Sequence, residues 1–474
     1  MRKKKNKIQF DVLKNIRIEE MAAEGKCLAR HENLVIFVKD VAPGDVVDLQ
    51  ITRQKKNFLE ASPVHFHAFS ELRVEPFCEH FGVCGGCKWQ HINYETQLYF
   101  KQKQVKDNLE RIGKIGSKPI LPIKASSETA YYRNKLEYTF SDNSWLTTEQ
   151  IKSGQEYDRN ALGFHIPGRF DKILDIKHCY LQPGASNNIR LSVRQYAKLH
   201  NLVFFNQVKM EGFLRNLIIR TANTGDVMVI VQVYYDDMPA LSGLLEHLKI
   251  NFPEITSLQY VVNGKGNETF HDLEVVLYHG EPYMHEEMEG LRFRVGPKSF
   301  YQTNSDQAYE LYKITRDFAG LTGSEIVYDL YTGAGTIANF VSRQAKEVIG
   351  VEYVESAIAD AKLNSQINQI QNTKFFAGDM REVLNEAFIA EHGQPDVIIT
   401  DPPRAGMHPE VVEKLNQLRA SRLVYVSCNP ATQARDLEAL AGTYEVTKIQ
   451  PVDMFPQTHH VENVVLLELK KEPA

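Results

Sequence analysis

Residues 328–336 read Tyr-Asp-Leu-Tyr-Thr-Gly-Ala-Gly-Thr and stand where a predicted strand turns into a predicted helix. Gly333 and Gly335 let the backbone approach a ligand closely, and the helix that follows offers unpaired backbone N–H groups. Glu352 ends the next predicted strand, where a carboxylate accepts hydrogen bonds from ribose hydroxyls. Position 338 is Ala, so the third glycine of a dinucleotide fingerprint is missing. The pattern favours a nucleoside ligand without a pyrophosphate, with a tight structural turn as the alternative.

The region around this turn alternates strands with helices. Five strands, each followed by a helix, and a closing pair are predicted at residues 325–330, 348–351, 374–377, 396–400, 423–427, 445–449 and 463–469. Such alternation builds a doubly wound, mostly parallel sheet and places this part of the chain in the α/β class. Open sheets of this type bind ligands beyond the carboxyl ends of their strands.

Polar and reactive side chains follow the later strands of this predicted sheet. Asp401 begins an Asp-Pro-Pro-Arg segment, Cys428 lies in Ser-Cys-Asn-Pro, and Glu462 precedes the last strand. A cysteine over the ligand crevice and close to a helix N-terminus is expected to be stabilised as its thiolate, which is the reactive form. Glu462 is a candidate proton acceptor because partial desolvation raises the pKa of a carboxyl group. The alternative for the Asp401 segment is a structural loop with a surface Asp. The alternative for Cys428 is a small buried apolar residue.

The N-terminal part of the chain has a different organisation. Residues 9–62 predict five short strands, which suits a small barrel of the oligonucleotide-binding type or a generic β-module. A lysine-containing helix is predicted over residues 94–111. Residues 131–289 combine apolar strand patterns with helices at 188–200 and 238–251, and therefore predict an α+β domain.

Four of the six cysteines have a spacing typical of metal ligands. Cys78, Cys84 and Cys87 supply three thiolates in one short segment, and the distant Cys179 can complete a tetrahedral set for an iron–sulfur cluster or for zinc. Spacing alone does not choose between these metals. Six cysteines in 474 residues are too few for a disulfide framework, so thiols, metal ligands or nucleophiles are expected.

The composition excludes several classes of protein. The chain is 43% hydrophobic and 24% charged, unlike disordered or collagen-like polypeptides. It has neither an apolar run of membrane-spanning length nor the apolar stretch of a secretory signal, so a cytoplasmic location without a membrane partner is expected. Residues 1–200 hold 32 Lys and Arg against 23 Asp and Glu, whereas residues 201–474 hold 23 against 37. The basic part suggests contact with a polyanion, although such asymmetry also occurs without one.

Together these motifs resemble those of the RNA uracil-5-methyltransferases, which use S-adenosyl-L-methionine to make 5-methyluridine in ribosomal and transfer RNA. The resemblance spans nearly the whole chain. Its most specific parts are the sequences Phe-Tyr-Gln-Thr-Asn, Asp-Pro-Pro-Arg, Ser-Cys-Asn-Pro and His-Val-Glu-Asn at residues 300–304, 401–404, 427–430 and 460–463.

The resemblance implies roles for individual residues. Cys428 would be the nucleophile and Glu462 the base. The methyl-donor site would be lined by Gln302, Tyr331, Glu352 and Asp401. A [4Fe–4S] cluster, as in the ribosomal branch, would be held by Cys78, Cys84, Cys87 and Cys179.

The resemblance also implies a domain organisation and a partner. A TRAM-like barrel would occupy residues 1–65, a middle α+β domain with the cysteines and an RNA-binding surface 66–300, and a Rossmann-like methyltransferase domain 301–474. Transfer-RNA members typically lack the cysteine set and the barrel, which favours 23S ribosomal RNA as the substrate. The alternatives are a transfer-RNA methyltransferase of the same chemistry and a non-catalytic RNA-binding factor in ribosome assembly. No obligate protein partner is indicated.

The reaction itself requires such groups. Uracil C5 is a poor nucleophile, and addition of a thiolate such as that of Cys428 to C6 converts the ring into an enolate that attacks a methyl group. The C5 proton must then leave, for which Glu462 is the candidate base. The enolate charge requires a hydrogen-bond donor, either Arg404 or a backbone N–H. A stacked uridine must also be flipped out of its RNA, with the basic residues 1–200 as the expected binding surface.

Overall fold

The computed structural model describes residues 12–116 and 118–471. Within them the chain forms two compact units, one made of residues up to 104 together with 455–459, and the other of the remaining residues. No helix of the described residues is long and apolar enough to cross a membrane. The three-domain division at 1–65, 66–300 and 301–474 stays a prediction.

The first unit contains a six-stranded sheet. Its strands are β1 (Val12–Arg17), β2 (Glu20–Met21), β3 (Cys27–His31), β4 (Leu34–Val38), β5 (Val46–Gln54) and β6 (Phe58–Ala68). They pair in the order β1-β5-β6-β4-β3-β2, and only β4 and β6 among them pair in parallel. Buried residues of β1, β3, β4, β5 and β6 form one apolar cluster, so the sheet curls around a core of its own. The β-rich N-terminal region is confirmed, and the two-residue β2 is the strand that the sequence pattern missed.

The long helix α1 (Tyr94–Arg111) begins in the first unit and continues into the second, with the bounds that the sequence predicts. A seven-stranded sheet follows in the second unit. Its elements are β7 (Lys135–Ser141), α2 (Thr148–Ser153), β8 (Ala161–Ile166), β9 (Arg169–Asp175), α3 (Ser186–Leu199), β10 (Leu214–Thr221), β11 (Val227–Val233), α4 (Met238–Asn251), β12 (Ile255–Val262) and β13 (Val276–Gly280). The strand order is β13-β12-β11-β10-β7-β8-β9, and α4 is the crossover between the parallel strands β11 and β12.

The sequence pattern predicts strands at 216–220, 227–234, 258–262 and 273–277, which correspond to β10 to β13 with the last displaced by three residues, and it misses β7 to β9. The central strands β10 and β11 are buried along almost their whole length, so they read as apolar runs. In contrast, β9 lies at the edge of the sheet and carries Arg169, Asp171 and Lys172 among its seven residues. An edge strand with one solvated face gives a weak apolar signal. A short hairpin of β14 (Met284–Met288) and β15 (Leu291–Val295) then precedes the last sheet.

The C-terminal part of the second unit is the predicted doubly wound sheet. Its elements are α5 (Ser305–Ala319), β16 (Ile326–Leu330), α6 (Thr336–Ser342), β17 (Glu347–Glu352), α7 (Glu355–Ile367), β18 (Thr373–Ala377), α8 (Met380–Val383), α9 (Glu386–His392), β19 (Val397–Thr400), α10 (Pro409–Leu418), β20 (Arg422–Ser427), α11 (Pro430–Leu440), β21 (Tyr444–Val452) and β22 (Glu462–Leu469). All seven predicted strands are present. The order is β18-β17-β16-β19-β20-β22-β21, and β22 runs antiparallel to both of its neighbours.

This strand order determines where a ligand can bind. The first strand, β16, lies between β17 and β19, so the chain leaves its carboxyl end in one direction and later returns on the other side. Helices that follow neighbouring strands then diverge to opposite faces of the sheet and leave a crevice between them. The stretch 331–335 and the Asp401 segment both follow strands that border this crevice.

Candidate active site

Cys428 follows the end of β20 at the edge of the sheet where Glu462 begins β22. Ser427 pairs with Asn463 as the last pair of the ladder between β20 and β22. Because the two strands are antiparallel, the residue after Ser427 and the residue before Asn463 emerge at the same edge. Gln433 of α11 fixes this end of the ladder: it donates to the Asn463 carbonyl at 3.1 Å and accepts from the Asn463 side-chain amide at 2.7 Å.

Glu462 is a buried carboxyl group, with 6% of its surface exposed. Burial raises its pKa to about 8, and the negative charge of Asp401 contributes in the same direction. The nearby Arg404 guanidinium opposes the shift without cancelling it. The Glu462 carboxyl therefore titrates close to neutral pH, which is what a general base in this position requires.

Cys428 is half-buried, and its thiol is harder to ionise than a free cysteine. Burial raises its pKa to about 11, followed in importance by the charges of Glu462 and Asp401, whereas Arg404 lowers it. The raised pKa opposes the stabilisation of the thiolate that is expected from the N-terminus of α11. Desolvation and two neighbouring carboxylates outweigh a helix terminus, whose effect is modest.

Asp329 of β16 is a buried carboxyl group whose role no motif of the sequence indicates. One of its oxygens, Oδ2, accepts from Thr332 Oγ1 at 2.5 Å and from the Ala338 backbone N–H at 3.1 Å. The other, Oδ1, is buried and has no hydrogen-bond partner among the described residues. Burial raises the pKa of Asp329 to about 7, and the charge of Asp329 contributes to a similar rise in Asp401, again after burial. A single carboxyl group inside an apolar strand was the sequence signal for this residue.

The turn after β16 leaves open space next to Glu352. Gly333 has a φ of 55°, and a Cβ placed on it would find no heavy atom within 4 Å. The Glu352 carboxylate accepts from the backbone N–H groups of Gly333 at 3.2 Å and Val354 at 3.0 Å, so it is held at the rim of that space. Tyr331 lies near the same carboxylate: burial raises its pKa to about 12, and the charge of Glu352 contributes. The carboxylate of Glu352 therefore lies next to the Gly333 turn, and its charge acts on Tyr331.

Gln302 reaches the same crevice from the segment between β15 and α5. Its side chain forms a hydrogen bond to the hydroxyl of Tyr312 on α5, whose pKa is raised by burial and by the charges of Asp401, Asp329 and Glu462. The Gln302 carbonyl accepts from the Asn134 side-chain amide at 2.9 Å. Gln302 is therefore linked through Tyr312 to the carboxyl groups near Cys428.

The loop that carries Asp401 is fastened to the start of α11. The Arg404 carbonyl accepts from Asn429 Nδ2 at 2.9 Å and from Thr432 Oγ1 at 3.2 Å. The Met407 backbone N–H donates to the buried Asp436 carboxylate at 2.9 Å. These contacts join the Asp-Pro-Pro-Arg and Ser-Cys-Asn-Pro segments. The Asn429 side chain also caps α11, and an Asn before Pro at a helix start was the sequence signal for this role.

The four candidate metal ligands are divided between the two units. Cys78, Cys84 and Cys87 belong to the first unit and Cys179 to the second. No group of three or more His, Cys, Asp or Glu side chains among the described residues is arranged to hold a metal ion. The surroundings of Cys84 favour a negatively charged sulfur, since the Gly86 backbone N–H donates a hydrogen bond to Cys84 Sγ at 3.5 Å. Burial raises the pKa of both Cys78 and Cys84.

Comparisons with known proteins identify the family. A family model described as tRNA (Uracil-5-)-methyltransferase matches residues 281–470, and a TRAM domain model matches residues 14–64. An uncharacterized RNA methyltransferase of Bacteroides thetaiotaomicron is 60% identical over 454 residues, which cover 95% of this chain and 100% of the relative. The chain belongs to the tRNA (uracil-5-)-methyltransferase family. An uncharacterized RNA methyltransferase of Chlorobaculum tepidum is 40% identical over 95% of both chains.

A solved structure is similar over nearly the whole length of this methyltransferase. The Pyrococcus abyssi tRNA (uracil-54, C5)-methyltransferase, in complex with S-adenosyl-L-homocysteine, has a TM-score of 0.75 and 27% sequence identity, and the match covers 95% of this chain and 99% of that chain. The Rossmann-type fold, the TRAM domain and the activity of an S-adenosyl-L-methionine-dependent RNA uracil-5-methyltransferase are thereby confirmed. The Pyrococcus abyssi enzyme acts on transfer RNA, and its match to 95% of this chain extends into the N-terminal sheet, so the presence of this sheet does not by itself favour ribosomal RNA.

Proposed function

We propose that this methyltransferase transfers a methyl group to C5 of a uracil in 23S ribosomal RNA through a covalent bond between Cys428 Sγ and uracil C6. The observation that carries the proposal is the emergence of Cys428 and Glu462 from the same end of the β20–β22 ladder. The charge of Arg404 acts on both side chains, so a cation accompanies the pair.

The proposed reaction uses these groups in sequence. The Cys428 thiolate forms a bond to C6, and the ring electrons move to the carbonyl oxygen at C4. We assign Arg404 to the enolate charge because its own charge already acts on Cys428 and Glu462. C5 then forms a bond to the methyl carbon while the bond from that carbon to the donor's sulfur breaks. Glu462 takes the C5 proton, the double bond between C5 and C6 returns, and the thiolate is expelled.

The residues of the proposed donor site fit S-adenosyl-L-methionine. We propose that Gln302, Tyr331, Glu352 and Asp401 line it, with Glu352 for the ribose hydroxyls. The open space at Gly333 and the carboxylate at its rim support this placement. When bound, the donor supplies an electrophilic methyl group on a positively charged sulfur.

A positive charge near Asp401 also affects the nucleophile. The pKa of Cys428 is raised by burial and by the charges of Glu462 and Asp401. A cation that compensates these carboxylates favours the thiolate, because opposite charges stabilise the ionised form. Binding of the methyl donor at this site therefore prepares Cys428 for addition to the ring.

The RNA substrate is tested by nucleoside analysis. In a strain without this protein, 23S ribosomal RNA should lose 5-methyluridine, as measured by mass spectrometry of digested RNA, and the wild-type gene should restore it. The purified protein should methylate 23S RNA transcripts in vitro. The similarity to the Pyrococcus abyssi enzyme favours transfer RNA as the second candidate, and loss of 5-methyluridine from transfer RNA alone would establish it. Unchanged profiles in both RNAs would contradict the proposed function.

We further propose that Cys78, Cys84, Cys87 and Cys179 hold a [4Fe–4S] cluster. The Gly86 N–H directed at Cys84 Sγ supports a thiolate ligand there, because such donors stabilise negatively charged sulfur. No reaction step is assigned to the cluster.

Protein purified without oxygen should be brown, absorb at about 400 nm and contain about four iron atoms per chain. Cys84→Ala should lose most of this iron. Cys27→Ala is the matched control, since Cys27 lies in the apolar core of the first sheet. Stoichiometric zinc without iron, or full iron content in Cys84→Ala, would contradict the cluster.

A further inference from the structure

A cavity of about 720 Å³ opens at the β8–β9 side of the seven-stranded sheet. This sheet is distinct from the one that carries Cys428 and Glu462. The volume of the cavity lies in the range of small-ligand sites. The residues that give it chemical character are His165, Arg169, Phe170, Phe205, Arg215 and Glu268.

Phe170 provides an exposed aromatic surface at the mouth of this cavity. It follows the tight turn between β8 and β9, and 69% of its surface is exposed. The preceding Arg169 is also exposed, whereas Phe205 lines the cavity with 2% exposure. An exposed aromatic ring beside a cation is the combination that binds unstacked bases and their phosphates.

Arg215 stabilises the wall of the cavity. Only 2% of its surface is exposed, and its guanidinium lies 4.5 Å from the centre of the Phe205 ring. Its Nη1 donates to the carbonyls of Asn263 and Lys265 at 2.6 and 2.7 Å. The Nε atom is buried without a hydrogen-bond partner among the described residues. Because this atom has almost no accessible surface, Arg215 acts by holding the Phe205 ring and the 263–267 segment in place.

Glu268 contributes an acceptor in the same cavity. Burial acts to raise its pKa, but contact with His165, whose Nε2 lies 3.4 Å from Glu268 Oε1, and the charge of Arg215 hold that pKa below its usual range. Glu268 is therefore a carboxylate at neutral pH. The cavity therefore presents a carboxylate acceptor together with the exposed ring of Phe170.

The walls of the cavity are fixed by hydrogen bonds. Gln207 donates to the Phe140 carbonyl and accepts from Ser141 Oγ, each at 2.8 Å. On the other side, Asn263 Nδ2 donates to the Asn267 carbonyl at 3.1 Å. A site that is already formed loses little conformational entropy when a ligand binds.

We propose that this cavity binds an unstacked nucleobase of the RNA substrate, at a position other than the uracil that is methylated. Phe170 stacks on the face of the base, Arg169 contacts an adjacent phosphate, and Glu268 accepts a hydrogen bond from the base edge. The proposal rests on the proposed function only in taking RNA as the substrate. Capturing a second base offsets part of the free energy that unstacking the target requires.

The test compares Phe170→Ala with the wild-type protein in steady-state methylation of RNA. Loss of one stacking contact should raise KM for RNA about tenfold, with kcat within about twofold. The affinity for S-adenosyl-L-homocysteine, measured by calorimetry, should not change. Phe170→Tyr should retain the wild-type KM. Ile250→Ala is the matched control, because Ile250 on α4 is similarly exposed, at 68%, and lies outside the cavity.

Three results would overturn the proposal. The first is a wild-type KM for RNA in both Phe170→Ala and Glu268→Gln. The second is equal weakening in Phe170→Ala and Ile250→Ala. The third is tight binding of free mononucleotides to the wild-type protein that is lost in Phe170→Ala, while KM for RNA stays unchanged. The ligand of the cavity would then be a free nucleotide.

Failure of the cavity proposal is distinguishable from failure of the proposed function. If neither 23S nor transfer RNA accepts a methyl group, the proposed function fails, and the cavity is still tested by fluorescence anisotropy with both labelled RNAs. Weaker binding by Phe170→Ala than by Ile250→Ala would then support the cavity, and equal binding would overturn it. If methylation proceeds and Phe170→Ala behaves as wild type, only the cavity proposal fails.

Discussion

Cys428→Ala should abolish methyl transfer to RNA while the protein remains folded and binds S-adenosyl-L-homocysteine. Without a sulfur atom to add to C6, uracil C5 stays too weak a nucleophile to attack the methyl group. By analogy with other removed nucleophiles, we expect a loss of about 10⁴-fold or more in kcat. The measurement is tritium release from RNA labelled at uracil C5, together with transfer of labelled methyl groups.

The covalent bond itself can be trapped with RNA that contains 5-fluorouridine. Fluorine at C5 cannot be removed as a proton, so the adduct should persist through a denaturing gel, and mass spectrometry should place it on Cys428. Cys428→Ala should form no adduct, whereas Cys27→Ala, which changes a buried thiol of the first unit, should form it normally. An adduct in Cys428→Ala would refute the assigned nucleophile.

Glu462→Gln should permit methyl transfer but prevent release of the product. Since a glutamine side chain cannot accept the C5 proton, methylated RNA should accumulate on the protein as a covalent complex, and turnover should fall about 10³-fold. The glutamine has nearly the shape of a protonated Glu462, so the buried position can accommodate it. A denaturing gel with labelled methyl groups measures the complex. Glu468→Gln, an exposed position of β22, is the control. Normal turnover in Glu462→Gln would contradict the assigned base.

The raised pKa of Glu462 also predicts a pH profile. A base works only when deprotonated, so the rate of product release should rise with pH through about 8 in the wild-type protein. In Glu462→Gln, one carboxylate near Cys428 is removed, and the pKa of the thiol should fall. The rate of Cys428 alkylation against pH, followed by mass spectrometry of its peptide, should then have its midpoint at lower pH than in wild type. A release rate that falls between pH 7 and 9, or an unchanged alkylation midpoint, would contradict this account.

Much of the C-terminal sheet was predictable because its signals are local. Strands such as β19 and β20 are buried on both faces and therefore read as apolar runs between helical segments. The edge strand β9 gave no such signal. Asp329 and Asp436 were missed as structural carboxylates, since their roles depend on partners in other elements.

The electrostatics of the site could not be predicted from the motif alone. The position of Cys428 before a helix suggested a stabilised thiolate, because the helix is visible in the sequence. Burial and the charges of Glu462 and Asp401, which belong to other segments, instead raise the pKa of the thiol. A pKa depends on burial and on all neighbouring charges, and neither is a property of a sequence window.

The sequence by itself determined the alternation of strands and helices, the ligand-binding turn and the chemical nature of the candidate groups. Periodicity, turn residues and reactive side chains are local properties of a chain. Only the tertiary structure decided that Cys428 and Glu462 are neighbours, because β21 carries the chain to the edge where β20 ends, and β22 begins there antiparallel to β20. It also decided the protonation of the site, since burial and the charges of several strands act there together.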